Sequence, residues 1–128
     1  MNQLGSTGDL LERIRARQAR YDERAYLFVL ASIEYVQGRL PERRHVSGRE
    51  LSHACRDFAL EQYGLLARSV LEYWGIRGTE DFGRIVYALV DAGLLVTQPG
   101  DREEDFREVY RFDRAFERTY VWQGIPGT

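Results

Sequence analysis

At 128 residues the chain has the usual size of one domain, long enough to bury about two-thirds of the surface its unfolded form exposes. Hydrophobic residues make up 44% and charged residues 30%, a globular balance that excludes a disordered chain of one charge sign. The formal charge of −2 argues against a protein that binds nucleic acid by general electrostatics. A lone cysteine, Cys55, beside only His45 and His53, excludes an internal disulfide and leaves a structural zinc site short of ligands.

Residues 1–6 read as frayed, and no run reaches the eighteen or more apolar residues of a membrane span. The opening MNQLGSTGDLLER lacks the basic-then-apolar order of a signal peptide, so a cytoplasmic location is expected. Residues 7–41 read as N-terminal helices. Ser6 and Asp9 suit the cap of a short first helix carrying Leu10, Leu11 and Ile14, with Arg13, Arg17, Arg20 and Arg24 on its other side. Asp22 caps a second helix in which Tyr26, Leu27, Val29, Leu30, Ile33, Val36 and Leu40 recur at helical spacing, until Gly38 and Pro41 end it.

Residues 42–112 read as a second unit. His45-Val46 fits a very short strand. Ser47 and Glu50 then form an S-x-x-E capping box for a helix bearing Leu51, Ala54, Cys55, Phe58, Ala59, Gln62 and Tyr63. Gly64 interrupts it, and Leu65, Leu66, Val70, Leu71 and Trp74 continue as a short helical stretch closed by Gly75. Thr79 is the expected N-cap of the next helix, with Glu80 and Asp81 in its first turn and Phe82, Ile85, Val86, Leu89 and Val90 inside. Gly93 ends that helix, Leu94 to Val96 reads as a strand, and the alternating Phe106 to Phe112 reads as the strand returning from the charged loop 101–105. Residues 113–122 read as a last helix or turn, docked by Phe116, Tyr120 and Trp122.

The expected fold is therefore mainly α with a small antiparallel β-hairpin, an α+β, winged-helix-like arrangement within a single domain, 1–128. The phrase IVYALVDAGLLV resembles the end of the third helix and the start of the wing in winged-helix domains. RHVSGREL, the run ALEQYGLLARSVLEYWGIRGTEDFGRIVYALVDAGLL, which contains WGIRGTEDFG, and the closing FERTY together resemble a small uncharacterised family of bacterial proteins of about this length. That resemblance implies a shared fold and carries over no catalytic or binding residue.

Four constellations are weighed for chemistry. A groove-reading helix from Thr79 to Ala92 should bring Arg, Lys, Asn or Gln to base edges, yet it leads with Glu80, Asp81 and Arg84, and its wing loop GDREEDF is acidic. The arginines Arg39, Arg43, Arg44 and Arg49, joined by Arg13, Arg17, Arg20 and Arg24, offer forks for phosphate or carboxylate; ion pairing with Glu12, Asp22, Glu23, Glu34 and Glu42 is the competing reading. His53 and Cys55, two apart on one helix, point to different faces, and a buried inert thiol is the default. The adjacent carboxylates Glu80-Asp81 and Glu103-Glu104 read as solvated, and DREEDF does not match a calcium loop.

All eighteen basic residues are arginine, and they are unevenly placed. Residues 1–56 hold ten against seven acidic residues, a net of +3, and residues 57–128 hold eight against thirteen, a net of −5. The resulting expectation is a non-enzymatic binding module without cofactor or metal, contacting a protein through Arg39, Arg43, Arg44 and Arg49, with a small-molecule ligand not expected. A winged-helix regulator that binds nucleic acid through the same arginines is the alternative. Among the aromatic residues Tyr63, Tyr73, Trp74, Tyr87, Tyr110, Tyr120 and Trp122, any that is exposed would be a binding anchor.

Overall fold

A computed structural model describes residues 2–3, 12, 14 and 20–118. The expected Ser6–Asp9 cap, Arg13, Arg17, Tyr120 and Trp122 lie outside the described residues. Among the described residues the fold is carried by four helices: α1 (Glu23–Arg39), α2 (Gly48–Tyr63), α3 (Ala67–Tyr73) and α4 (Thr79–Asp91).

Three of them, α1, α2 and α4, begin where local chemistry supplies partners for free main-chain groups. The Asp22 carboxylate accepts from the Arg24 amide at 2.9 Å at the head of α1. The Ser47–Glu50 box is complete: Ser47 Oγ accepts from the Glu50 amide at 3.1 Å, and the Glu50 carboxylate accepts from the Ser47 amide at 3.0 Å. Gly64, at φ 54°, ends α2 and turns the chain through a 3-10 turn, Gly64–Leu66, into α3.

At α4 the cap differs from the expected one. Gly78 occupies the N-cap position, and the Asp81 carboxylate turns back to accept from the amides of Arg77 and Gly78 at 2.8 and 3.2 Å. Thr79 is buried inside the first turn, where its hydroxyl accepts from the Val109 amide. Asp81 is buried as well, paired with Arg84 at 2.8 Å and accepting from the Tyr21 hydroxyl, and so ties the segment before α1 to the start of α4.

The core lies between α1, α2 and α4, built on Tyr26, Val29, Ile33, Leu51, Ile85, Val86 and Leu89. Phe106 is inserted between α2 and α4, fully buried. A Cβ on Gly48 would fall 2.8 Å from its ring and one on Gly83 2.9 Å from its Cβ, so these two glycines form the notch that receives it.

The expected β-hairpin does not form among the described residues. Leu95–Val96 (β2) pairs antiparallel with Asn2–Gln3 (β1), with Asn2 opposite Val96 and Gln3 opposite Leu95. Residues 103–106 make a 3-10 turn, and Asp113–Arg118 a wide helical turn. Three local facts prevent the expected strand. Glu108 sits in the left-handed region at φ 49°, the Arg107 amide is satisfied by the Glu104 carbonyl, and the Val109 amide by Thr79. The alternation Phe106, Tyr110, Phe112 still faces inward, but along a turning chain rather than a strand.

The expected strand at His45-Val46 is also absent, and the chain there is irregular. The buried Gln37 side chain explains it. Its amide donates to the Arg44 carbonyl at 2.6 Å, and its oxygen accepts from the Arg44 amide at 3.2 Å, taking the main-chain partners a strand would have used.

Candidate binding surfaces

The four arginines singled out from sequence come from the end of α1, the loop after it and the first turn of α2, and most are already engaged. Arg39 pairs with Glu61 at 3.0 Å and lies over the Tyr35 ring at 4.2 Å. Arg43 meets Glu34 at 3.4 Å, and Arg44 makes a two-pronged contact with Glu50, the closer bond 2.7 Å. Arg49 is exposed and has no carboxylate partner among the described residues. Of the arginines nearer the N-terminus, Arg24 pairs with Asp22 at 2.9 Å, and Arg20 lies over the Tyr21 ring. The side chains alternate in charge, so this face is a mixed ion-pair lattice rather than a basic patch.

The candidate nucleophile is not brought to a base. Cys55 is fully buried, and burial pushes its thiol up to about 12. His53 stands exposed on another side of α2, its ring 5.6 Å from that of Tyr110. Partial burial, with Arg49 and Arg56 nearby, holds the His53 ring below its ordinary value. His45 instead reaches Asp101, Nε2 to Oδ1 2.9 Å, and joins the α1–α2 loop to the loop after β2. Among the described residues no group of three or more His, Cys, Asp and Glu is placed to hold a metal ion.

The helix weighed and disfavoured as a groove reader, now α4, is largely enclosed. The acidic turn 103–106 packs along it, and a small depression of about 110 Å³ on that side is lined by Glu80, Arg84, Glu103, Glu104 and Arg107. Phosphate approaching this side meets three carboxylates and two guanidinium groups.

Two features escaped the sequence reading. The first is an apolar ridge on α3. Ala67, Leu71 and Trp74 face the core and Val70 packs partly against it, while Leu66 and Tyr73, seven residues apart, lie on the solvent side. Leu66 is 65% exposed and Tyr73 78%. Neighbouring Leu65 is 68% exposed, and the Arg24 guanidinium at the start of α1 lies 5.9 Å from the Tyr73 ring. The signal was present in the sequence, because a seven-residue helix with apolar residues on both sides cannot bury all of them.

The second is an open cleft of about 580 Å³ between α3, the start of α4 and residues 108–113. Arg68, Arg77 and Arg111 line it, with Glu80, Glu108, Asp113, Tyr110 and Phe112. Nothing in the residue order pointed to it, because a strand over 106–112 would have left no such wall. No protein-family model, no curated protein and no solved structure matches the chain.

Proposed function

We propose that this chain is a non-enzymatic binding module that recognises another protein through the α3 ridge and the adjoining end of α1. The observation that carries this reading is the exposure of Leu65, Leu66 and Tyr73 along a helix that already buries Ala67 and Leu71 in the core. Tyr and Arg anchors beside aliphatic side chains are the composition that dominates binding energy at protein interfaces. The paired arginines Arg39, Arg43 and Arg44 would serve as a preordered polar rim.

The helix order, followed by a short strand, supports a winged-helix-like plan in which the wing is rebuilt as the 103–106 turn. A nucleic-acid regulator of that plan, using Arg39, Arg43, Arg44 and Arg49, finds its best support in exposed Arg49. Ion pairs at the other three, and the acidic cover on α4, favour the protein-binding reading.

The test is affinity capture from the native cell with the wild-type chain, a Leu66→Ser/Tyr73→Ala variant, and Arg49→Ala, with thermal melting to verify that each is folded. A stoichiometric protein retained by wild type and Arg49→Ala but lost with the ridge variant is the expected outcome. Retention on a DNA or RNA column that falls steeply with salt and is lost with Arg49→Ala overturns it in favour of the regulator.

A further inference from the structure

We propose that the cleft between α3 and residues 108–113 is a binding site for a small anion that also carries hydroxyl groups, of the sugar-phosphate class. This goes beyond the protein-binding reading and departs from the sequence expectation that no small molecule is bound. The two surfaces stand or fall separately.

Three separate elements bring guanidinium groups to this one cavity. Arg68, already paired with Glu72 at 3.0 Å, comes from α3, Arg77 from the loop before α4, and Arg111 from the segment after the 3-10 turn. Arg77 is exposed and has no carboxylate partner among the described residues, so its planar fork is available to an incoming oxyanion. Arg111 commits one nitrogen to Asp113 at 3.0 Å, and a guanidinium carries five N–H donors. The start of α4 itself contributes little, because Asp81 already accepts from the amides of Arg77 and Gly78.

The walls are built rather than incidental. The segment bearing Glu108, Tyr110 and Arg111 is held by the Val109 amide to Thr79 Oγ1 at 3.1 Å, and by the Tyr110 hydroxyl to the Ser52 carbonyl at 2.7 Å. Glu108 adopts a left-handed backbone, φ 49°, a conformation that costs a non-glycine residue free energy and tends to occur where a site needs a particular wall. The cavity volume falls in the range of small-molecule sites.

The acidic residues decide the ligand class. Glu80, Glu108 and Asp113 line the same cleft as the arginines, Asp113 already paired with Arg111, so a bare dianion would meet repulsion together with attraction. A ligand that places its anionic group on Arg77 and Arg111 and its hydroxyl donors on Glu80 and Glu108 satisfies both. Tyr110 and Phe112, which also line the cleft, then support its carbon skeleton.

The probes are inorganic phosphate and ribose 5-phosphate, titrated at constant ionic strength and followed by calorimetry and by backbone amide shifts of the full chain. Saturable binding of ribose 5-phosphate, about tenfold or more tighter than inorganic phosphate, with shifts at Gly78 and Glu108, is expected. Arg77→Ala should lower that affinity by about tenfold or more, while Arg49→Ala, far along the chain on α2, should leave it unchanged. Absence of saturable binding in the millimolar range overturns the proposal, as does equal binding of the two probes. A loss shared equally by Arg77→Ala and Arg49→Ala also overturns it, because that is the behaviour of unspecific charge.

Discussion

Tyr26 shows how a single atom can work against the fold that contains it. Its side chain is completely buried, and its hydroxyl has no hydrogen-bond partner among the described residues. Burial raises its pKa, and an unpaired buried hydroxyl costs stability that a same-shaped apolar group does not. Tyr26→Phe is therefore expected to leave urea stability unchanged or raise it by up to about 1 kcal/mol. A loss of that size would reveal a hydrogen bond. The glycines facing Phe106 make the opposite case. Alanine at Gly83 would gain about 1 kcal/mol of helix propensity, but its Cβ would fall within 3.0 Å of the Cβ and ring of Phe106, close to the backbone where little can yield. Overpacking of that kind costs about 1–3 kcal/mol, so Gly83→Ala should be net destabilising in urea, and Gly83→Ala/Phe106→Leu should recover part of the loss. Cys55, sealed in the core, should resist thiol reagents in native buffer and react once the chain is unfolded in urea. Its helical position on an apolar face made that burial legible from sequence; nothing in the residue order showed that Gly48 and Gly83 flank one phenylalanine.

At the scale of elements, caps were read well where both partners are local. The Ser47–Glu50 box formed as its spacing required, and Ser47→Ala should cost about 1 kcal/mol of urea stability. The Arg44 fork beside it, with the Ser47 amide, holds the Glu50 carboxyl down at about 2 against an ordinary 4.5. The folded value is the lower one, so the stabilisation is present above pH 4.5 and is lost as pH falls from there toward 2. The Glu50 side chain is 44% exposed, and solvent screening keeps the effect to about 1 kcal/mol or less. Glu50→Gln should flatten the acid limb of the stability profile by that amount, and an unchanged limb would mean that the pair contributes nothing. Thr79 was misassigned as a cap because its actual partner, the Val109 amide, lies thirty residues away. In α3 the sequence shows a short apolar helical stretch, and only the packing of Ala67, Leu71 and Trp74 shows that Leu66 and Tyr73 are left outside.

For the molecule as a whole, the split of charge along the chain does not become a split between two faces. Arg39, Arg43 and Arg44 meet Glu61, Glu34 and Glu50, and Glu61 comes from the acidic half of the sequence. A lattice of this sort holds few condensed phosphates, so retention on a heparin column should be weak at low ionic strength and nearly independent of salt; a steep dependence would show a basic face that the ion pairs fail to neutralise. No helix among the described residues is long and apolar enough to cross a membrane.

The sequence by itself determined the helices, two of their caps and the glycine breaks after α2 and α3, because those depend on neighbours within a few residues. Only the tertiary structure decided the fate of residues 103–112. Their alternation suits a strand, but Phe106 finds its place between two glycines, and Thr79 takes the Val109 amide, so the chain turns instead. The cleft bounded by Arg77 and Arg111 exists because of that turn, and the exposed ridge because α3 has only one side to bury.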